Sequence, residues 1–225
     1  MRAMILAAGR GERLRPLTDT CPKPLIRVGG QPLLYWHLIK LKAAGITEVI
    51  VNSAHLSKMI VDYLEDGSKF SMHIEHSVER EGGLETAGGI IKALPFFEDE
   101  PFLVLNGDTY IDGDYAQFLT NEPPENGAFL YLTHNPQHNL RGDFSLGSDA
   151  DVEKGGEYTF TGAALYSPKA FCGESVAKKP LRPFFDRWIA LKALKGTLLE
   201  GAWFDAGTTE RLQIIEDYIR DHKNI

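Results

Sequence analysis

The stretch RAMILAAGRGERLRPLTDTCPKPL, residues 2–25, predicts the fold of this 225-residue chain. Its first six residues, Arg2–Ala7, form an apolar run that predicts a buried β-strand, and a loop rich in glycine and arginine follows at once. In an open α/β sheet, ligands bind beyond the carboxyl ends of the strands. The stretch therefore predicts the first strand of such a sheet, with a ligand-binding loop directly after it.

Basic side chains crowd this loop, although the chain as a whole is acidic, with a formal net charge of −7. Residues 6–27 hold five basic side chains and two acidic ones, namely Arg10, Arg13, Arg15, Lys23 and Arg27 against Glu12 and Asp19. Arginine guanidinium groups suit phosphate oxygens, and Lys23 stands between two prolines that stiffen its segment. The loop therefore predicts a cradle for a polyphosphate such as a nucleoside triphosphate.

Two glycines of the loop, Gly9 and Gly11, can take positive φ and let backbone N–H groups approach an anion closely. The spacing is not a dinucleotide fingerprint, because Leu14 occupies the position of the third glycine. It is not a Walker A loop either, because no Gly-Lys-Ser/Thr follows. The charge of the loop, more than its glycines, therefore supports the prediction of a phosphate cradle.

The composition is that of a soluble globular protein, with 43% apolar and 24% charged residues. No apolar run approaches the roughly 20 residues of a membrane-spanning helix, and no signal peptide is expected. The acidic net charge argues against bulk nucleic-acid binding. Cys21 and Cys172 lack a CxxC spacing and indicate a reducing compartment. We therefore expect a cytoplasmic protein, a monomer or homodimer, without nucleic-acid or membrane partners.

Apolar patterns predict strands and helices in alternation. The predicted strands are 2–7, 48–53, 72–76, 102–105, 128–133, 158–166, 197–199 and 203–205, and the predicted helices are 32–44, 58–64, 85–94, 183–194 and 209–219. This order predicts an α/β fold with a Rossmann-like, mostly parallel sheet flanked by helices. We expect a single domain, 1–225, with a substrate-binding subregion at about 110–200.

Two aspartates, Asp108 and Asp205, each follow an apolar strand pattern at its carboxyl end. Mg²⁺ prefers hard oxygen ligands, typically one or two carboxylates together with phosphate oxygens and water. The two residues lie far apart in sequence, so only the fold can bring them together. A metal site is therefore one interpretation, and turn or helix-capping roles are the other.

The stretch GRGERLRPLTDTCPKPL, residues 9–25, resembles the signature of the sugar-phosphate nucleotidylyltransferases, G-x-G-[ST]-R-L-x-P-L-T followed by P-K-P-L. Glu12 stands where that family usually has a small hydroxyl residue. The resemblance continues in order through LETAGGI (84–90), VLNGD (104–108), FTGAALY (160–166) and WFDAGTTERL (203–212). It therefore covers essentially the whole chain.

The resemblance implies a nucleotidyltransferase fold of the glycosyltransferase-A type, without the C-terminal β-helix of many relatives. Within the family, the short length and Leu84-Glu85-Thr86 most resemble bacterial uridylyltransferases of N-acetylmuramate α-1-phosphate. These enzymes convert UTP and the sugar phosphate to UDP-N-acetylmuramate and pyrophosphate in peptidoglycan recycling. The implied partners of this chain are thus a nucleoside triphosphate and a sugar 1-phosphate, and the implied cofactor is Mg²⁺.

The resemblance also implies the residues of the site. The implied catalytic residues are Arg13, Lys23, Asp108 and Asp205, of which the two aspartates bind the metal. The implied nucleotide-binding residues are Leu6, Ala7, Ala8, Gly9, Gly11, Glu12, Arg13, Lys23, Glu79 and Gly83. The implied sugar-binding residues are Asn106, Gly142, Asp143, Glu153, Thr161 and Trp203. The family's Glu-Lys-Pro element is broken here, since Gly155 replaces the proline after Glu153 and Lys154.

Other functions stay open. Within the family, a guanylyl- or thymidylyltransferase acting on mannose or glucose 1-phosphate is the alternative, since a few contacts decide the base. The triplet Asp112-Gly113-Asp114 is a DxD, the metal signature of many glycosyltransferases, although we expect it to cap a helix that starts at Tyr115. A regulatory paralogue that binds nucleotide-sugars without turnover is the third possibility, and it would be expected to lack one of the four catalytic residues.

Overall fold

The computed structural model describes residues 1–222, so the last three residues of the predicted domain, 223–225, lie outside the described residues. The described strands are β1 (Arg2–Ala7), β2 (Arg27–Val28), β3 (Gln31–Pro32), β4 (Glu48–Ser53), β5 (His73–Val78), β6 (Phe102–Asn106), β7 (Thr109–Asp112), β8 (Ala128–His134), β9 (Phe144–Leu146), β10 (Val152–Lys154), β11 (Tyr158–Tyr166), β12 (Leu194–Leu198) and β13 (Ala202–Asp205). The described α-helices are α1 (Leu33–Ala43), α2 (Ser57–Leu64), α3 (Glu85–Ala93), α4 (Arg182–Ala190) and α5 (Thr209–His222).

Backbone contacts divide the chain into two compact units. The first unit comprises residues 1–4, 84–105 and 116–200, and the second comprises residues 5–83, 106–115 and the chain from 201 onward. The chain therefore passes more than once between the units. The expectation of a single domain, 1–225, stays a prediction.

The first unit is built on a mixed sheet in the order β10-β9-β11-β6-β1, with β8 pairing both β11 and β12. The long strand β11 runs antiparallel to β6 and to β8, and its register shifts between Phe160 and Ala163. Aromatic rings pack beneath it, since Tyr166 contacts Phe102 and Trp188 with ring centroids 5.9 and 6.0 Å apart. Burial of such large rings stabilises this unit.

The second unit holds the end of β1 and the strands β4 and β5, of which the last two are parallel. A separate antiparallel ribbon pairs β7 with β13, with Asp205 opposite Thr109. Helix α5 covers this ribbon through a core that comprises Val28, Leu33, Tyr110, Ala206, Ile215 and Ile219. The ribbon therefore packs on an apolar layer, and Thr109 and Asp205 are the polar residues at one of its ends.

The predicted α/β class, a mixed and mostly parallel sheet with helices, is confirmed. Strands β1, β4 and β11 have the predicted bounds, whereas the predicted helix 183–194 ends at Ala190. Lys192 takes a left-handed φ of 53° after it, and β12 begins at Leu194. Leu191 therefore follows the helix as an exposed residue, and Leu194 belongs to the next strand.

Candidate functional site

The basic loop after β1 folds into three short 3₁₀ turns, Glu12–Leu14, Leu17–Asp19 and Lys23–Leu25. Gly11 has the predicted left-handed conformation, with φ of 66°, and an added Cβ would lie 2.8 Å from the Thr18 methyl carbon. The Thr18 hydroxyl donates to the Gly11 carbonyl at 2.9 Å and holds this curl. Of the two glycines of the loop that can take a positive φ, only Gly11 does so.

The acidic residues of the loop form ion pairs with Arg10 and Arg15 but not with Arg13. The Arg15 Nε donates to Asp19 Oδ1 at 2.7 Å, and Arg10 lies 3.4 Å from Glu12. Arg13 is exposed and, among residues 1–222, has no hydrogen-bond or ion-pair partner. A guanidinium group in this state can bind phosphate without first giving up a protein carboxylate.

Lys23 forms an ion pair with Asp108. The Lys23 Nζ donates to Asp108 Oδ2 at 2.5 Å, and the lysine side chain is 9% exposed whereas the aspartate is 40% exposed. The lysine side chain is thus buried, and its ammonium group contacts a carboxylate that is more exposed to solvent. Such a pair can bring a fixed positive charge to an oxyanion that approaches Asp108.

Asp108 and Asp205 are neighbours through the ribbon of β7 and β13. Asp205 pairs with Thr109, the residue after Asp108, and the Ala206 N–H donates to the Asp108 carbonyl at 2.9 Å. The fold therefore brings the backbones of the two predicted metal ligands together, although they lie far apart in sequence.

An arginine that the sequence interpretation missed holds Asp205. The Arg211 guanidinium contacts both carboxylate oxygens of Asp205, at 3.0 and 2.9 Å, and both side chains are less than a fifth exposed. An added Cβ at Gly207 would lie 2.0 Å from Arg211 Nη2 and 2.7 Å from Asp205 Oδ2. A larger residue at 207 would therefore have to displace the Arg211 and Asp205 side chains, and the motif WFDAGTTERL contains all three residues of the arrangement.

The two carboxylates fit Mg²⁺ by their chemistry. Magnesium in phosphate-handling sites takes one or two carboxylates and completes its shell with phosphate oxygens and water. Among residues 1–222, no group of three or more His, Cys, Asp or Glu could hold a metal ion. The donor set of Asp108 and Asp205 thus matches a metal whose remaining ligands come from substrate and solvent.

A second cluster of predicted residues surrounds the end of β1. The Asn52 side chain accepts from the Ala7 N–H at 2.9 Å and donates to Glu79 Oε1 at 2.7 Å. Gly83 has φ of 63°, and an added Cβ would lie 3.5 Å from Glu79 Oε2 and 3.9 Å from the Ala8 carbonyl. Four predicted nucleotide residues therefore share one locality, and Asn52 is an unpredicted member.

The remaining predicted residues of the second unit stand close to this strand end and to the ribbon. The Gly107 N–H donates to the Leu6 carbonyl at 2.9 Å, and this bond docks the loop that carries Asn106 and Asp108. The Thr109 hydroxyl donates to the Asn106 carbonyl at 2.8 Å. Trp203 lies in the ribbon opposite Ile111.

In the first unit, the predicted sugar residues are held by hydrogen bonds to the backbone. Asp143 Oδ2 accepts from the Phe160 N–H at 2.8 Å, and the Thr161 hydroxyl donates to the Tyr131 carbonyl at 2.5 Å. Gly142 has φ of 59°, and an added Cβ would lie 2.6 Å from the Gly156 carbonyl. These contacts fix the shape of the segment.

Two further features of the first unit bear on the sugar prediction. A pocket of about 190 Å³ is lined by Asp143, Phe144, Phe160, Arg182 and Phe185. Glu153 is exposed on β10, and its carboxylate lies over Gly147, where an added Cβ would be 2.4 Å from Glu153 Oε1. The first unit therefore presents an aromatic pocket with one acidic and one basic side chain.

The first residue of the DxD triplet is part of a β-strand. Asp112 belongs to β7, accepts from Lys40 at 3.1 Å and accepts from the Tyr218 hydroxyl at 2.9 Å. Burial acts to raise the pKa of Asp112, but the hydrogen bonds from Tyr218 and Lys40 outweigh it and lower the pKa. Asp112 is thus engaged within β7. A 3₁₀ helix does start at Tyr115, and the expected capping of it by the triplet stays a prediction.

The chain is similar to known proteins over most of its length. A family profile described as "Nucleotidyl transferase" matches residues 2–142. The chain is 48% identical over 223 residues to the N-acetylmuramate alpha-1-phosphate uridylyltransferase of Neisseria meningitidis serogroup B, which covers 95% of this chain and 96% of that protein. It is 31% identical over 230 residues to the mannose-1-phosphate guanyltransferase of Hypocrea jecorina, which covers 92% of this chain and 61% of that protein.

A solved structure matches the fold. The crystal structure of a candidate glucose-1-phosphate thymidylyltransferase from Bacillus anthracis superposes with a TM-score of 0.86 at 24% sequence identity. The superposition covers 98% of this chain and 96% of that chain, which confirms the predicted architecture. Within residues 1–222, no helix has the length and apolar character needed to cross a membrane.

Proposed function

Because the chain belongs to the nucleotidyl transferase family, we propose that it transfers a uridylyl group from UTP to N-acetylmuramate α-1-phosphate. The products are UDP-N-acetylmuramate and pyrophosphate, and the reaction serves peptidoglycan recycling in the cytoplasm. The observation that carries the proposal is 48% identity, over 95% of this chain, to a protein of that activity. Arg13, which has no ion-pair partner among residues 1–222, and the ion pair of Lys23 with Asp108 support it.

The triphosphate binds on the basic loop. Arg13, which has no carboxylate partner in the described part of the chain, contacts the phosphate oxygens that leave as pyrophosphate. Gly11 shapes the loop that holds the phosphates, because its left-handed conformation favours glycine and an added Cβ would lie 2.8 Å from the Thr18 methyl carbon. Glu12 lies beside Arg13 at the rim of this cradle.

Lys23 binds an oxygen of the α-phosphate and stabilises the charge that develops there. Its position beside Asp108 at 2.5 Å supports this role, because the carboxylate orients the ammonium group before substrate arrives. Asp108 and Asp205 hold Mg²⁺, which supplies charge neutralisation at the reacting phosphates when it is bound. Arg211 orients the Asp205 carboxylate through its two contacts.

The sugar phosphate attacks the α-phosphorus in line, and the bond to the pyrophosphate group breaks. The attacking oxygen is already anionic at neutral pH, so no side chain is needed as a general base. Catalysis in such a transfer consists mainly of positioning and charge stabilisation. The proposed roles of Arg13 and Lys23 match this requirement.

The end of β1 receives the base, and Leu6, Ala7, Ala8 and Gly9 form its small-residue platform. Glu79 and Gly83 contact the edge of the base. The two residues lie close together, since a Cβ added at Gly83 would be 3.5 Å from Glu79 Oε2. The proposed sugar contacts of the first unit are Gly142, Asp143, Glu153 and Thr161, and those of the second unit are Asn106 and Trp203. The protein is a monomer or a homodimer.

A guanylyl- or thymidylyltransferase is the second candidate function. The 31% identity to a mannose-1-phosphate guanyltransferase favours it, since that relative covers 92% of this chain. A regulatory paralogue is disfavoured because all four predicted catalytic residues are present in the sequence.

A pyrophosphate-release assay with Mg²⁺ tests these proposals. UTP, dTTP, GTP and CTP are each combined with N-acetylmuramate, N-acetylglucosamine, glucose or mannose 1-phosphate. We expect one strong signal, for UTP with N-acetylmuramate 1-phosphate. A maximum at GTP with mannose 1-phosphate would support the second candidate, and folded protein without any release would refute both.

A further inference from the structure

An arginine lines the aromatic pocket of the first unit. The pocket, of about 190 Å³, is lined by Asp143, Phe144, Phe160, Arg182 and Phe185. The Phe185 ring packs edge to face with Phe144 and Phe160, with ring centroids 5.6 and 5.5 Å apart. The Arg182 guanidinium carbon lies 5.3 Å from the centroid of the Phe144 ring, within the range of a cation–π contact. A positively charged group is therefore packed against the aromatic wall of the cavity.

The guanidinium of Arg182 has little protein charge to neutralise it. Its single ion pair among residues 1–222 is with Asp186, at the long distance of 4.0 Å, and Asp186 lies closer to Lys154, at 2.9 Å. Arg182 donates no hydrogen bond to another described residue, and its side chain is 56% exposed. Its planar set of N–H donors can therefore bind an acidic group that enters the pocket.

Arg187, on the same helix α4, shows the contrast. It also lies over an aromatic ring, that of Phe184, at 4.8 Å. Its guanidinium donates to Glu174 at 3.0 Å and to the Ala170 carbonyl at 3.2 Å, and it does not line the pocket. One arginine of α4 is thus bound by the protein, whereas Arg182 lies at a cavity without such partners.

The pocket suits one substituent of a sugar. Its volume is below the roughly 300–1,000 Å³ of pockets that enclose a whole drug-sized ligand. N-acetylmuramate differs from N-acetylglucosamine by a lactyl ether, which carries a methyl group and ends in a carboxylate. The arginine fork matches a carboxylate, and the phenylalanine rings match a methyl group. Asp143 supplies an acceptor for sugar hydroxyl groups at the same pocket.

We propose that Arg182 is a specificity-determining residue that binds the lactyl carboxylate of N-acetylmuramate α-1-phosphate in this pocket. The proposal rests on the proposed function, in which that sugar phosphate accepts the uridylyl group. It adds a basic residue to the predicted sugar contacts, none of which is basic. A sugar phosphate without the carboxylate leaves the arginine without this partner and therefore binds more weakly.

Three acceptor sugars test the proposal in the pyrophosphate-release assay with UTP and Mg²⁺. They are N-acetylmuramate 1-phosphate, its lactyl methyl ester, which lacks the charge, and N-acetylglucosamine 1-phosphate, which lacks the whole lactyl group. The variants are Arg182→Ala and Arg182→Lys, of which the second keeps the charge but not the planar fork. Arg187→Ala is the matched control, because Arg187 lies on the same helix and already binds Glu174. Thermal melting establishes which variants fold.

We expect the wild-type kcat/KM for N-acetylmuramate 1-phosphate to exceed that for the methyl ester at least about tenfold. Arg182→Ala should lose at least about tenfold with the acid, mainly through KM, and should change little with the other two acceptors. Arg182→Lys should lie between the wild type and Arg182→Ala. Arg187→Ala should keep the wild-type preference for the acid.

Two results would overturn the inference. The first is a wild-type protein that does not distinguish the acid from its ester, a comparison that needs no variant. The second is a folded Arg182→Ala that loses activity with all three acceptors to the same extent, which would assign the arginine to the phosphate of the sugar or to the fold. If the wild-type protein does not turn over N-acetylmuramate 1-phosphate with UTP, the proposed function itself fails, and that measurement alone shows it.

Discussion

The predicted catalytic residues of the second unit and the predicted sugar residues of the first unit are held in different ways. In the second unit, charged side chains meet one another, as Lys23 does with Asp108 and Asp205 with Arg211. In the first unit, Asp143 and Thr161 bond to the backbone of neighbouring strands. The second unit thus fixes charges, whereas the first fixes the shape of a segment.

This difference has a physical reason. Phosphoryl transfer requires charge stabilisation at fixed points, and paired ions that a substrate can re-engage provide it. A neutral sugar ring requires a surface of defined shape with a few hydrogen-bonding groups. If the two units have these roles, substitutions in the second should reduce the rate, and substitutions in the first should weaken binding of the sugar phosphate.

The largest effect is expected for Lys23→Ala. The substitution removes the cation beside Asp108 and leaves a carboxylate facing the anionic triphosphate, so kcat should fall about 1000-fold. Pyrophosphate release with saturating substrates measures it. Lys58→Ala is the control, because Lys58 is 86% exposed and pairs only with Asp62 among the described residues. Unaltered kcat in Lys23→Ala would remove the lysine from the mechanism.

A smaller effect, about 100-fold in kcat/KM for UTP, is expected for Arg13→Ala. Arg15→Ala provides the comparison within the loop, because Arg15 already binds Asp19 at 2.7 Å whereas Arg13 has no such partner among residues 1–222. We expect Arg15→Ala to cost less than about fivefold, in line with the small contribution of exposed ion pairs. Equal losses in the two variants would show that the loop acts through its total charge alone.

Asp143→Ala tests the first unit. Loss of the acceptor for the Phe160 N–H loosens the segment, so KM for the sugar phosphate should rise about 10- to 30-fold while KM for UTP stays unchanged. Initial rates with one substrate varied at a time separate the two constants. Glu157→Ala is the control on the same segment, because its side chain is exposed. A fall in kcat without a change in either KM would contradict the proposal that this unit provides the binding surface for the sugar.

The sequence predicted these two regions unequally. The strand 2–7 and the basic loop were predictable, because an apolar run and a cluster of like charges are local patterns. The contact of Asp205 with Arg211 could not be predicted, although both residues lie in WFDAGTTERL. The local sequence does not show that the arginine side chain of the helix contacts the end of the preceding strand.

Asn52 illustrates the same limit over a longer distance. It ends the apolar run EVIVNS, and a polar residue at the end of a strand gives only a weak signal. Its two partners, Ala7 and Glu79, are decided by which strands become neighbours, and strand order is a property of the whole fold.

The smallest expected effect is a dependence of stability on pH, and it arises in the second unit. His37 in the second unit is fully buried beside the Tyr115 hydroxyl, at 2.8 Å, and burial lowers the pKa of His37 to about 4 from its usual 6.5. Between these two pKa values, the unfolded chain therefore binds a proton at His37 that the folded chain does not bind. This contribution to stability is complete above pH 6.5 and is lost as the pH falls toward 4.

At pH 5.5 the loss should be about 1.4 kcal/mol relative to pH 7.5, since one pH unit below the unfolded pKa corresponds to that energy. Urea unfolding at the two pH values measures it. His37→Gln cannot take up the proton, so its stability, although lower at pH 7.5, should change less between the two values. His73→Gln, at an exposed site beside Glu48, should keep most of the wild-type slope. If His37→Gln keeps the full slope, the acid sensitivity arises elsewhere, and the buried histidine does not set the acid limit of the second unit.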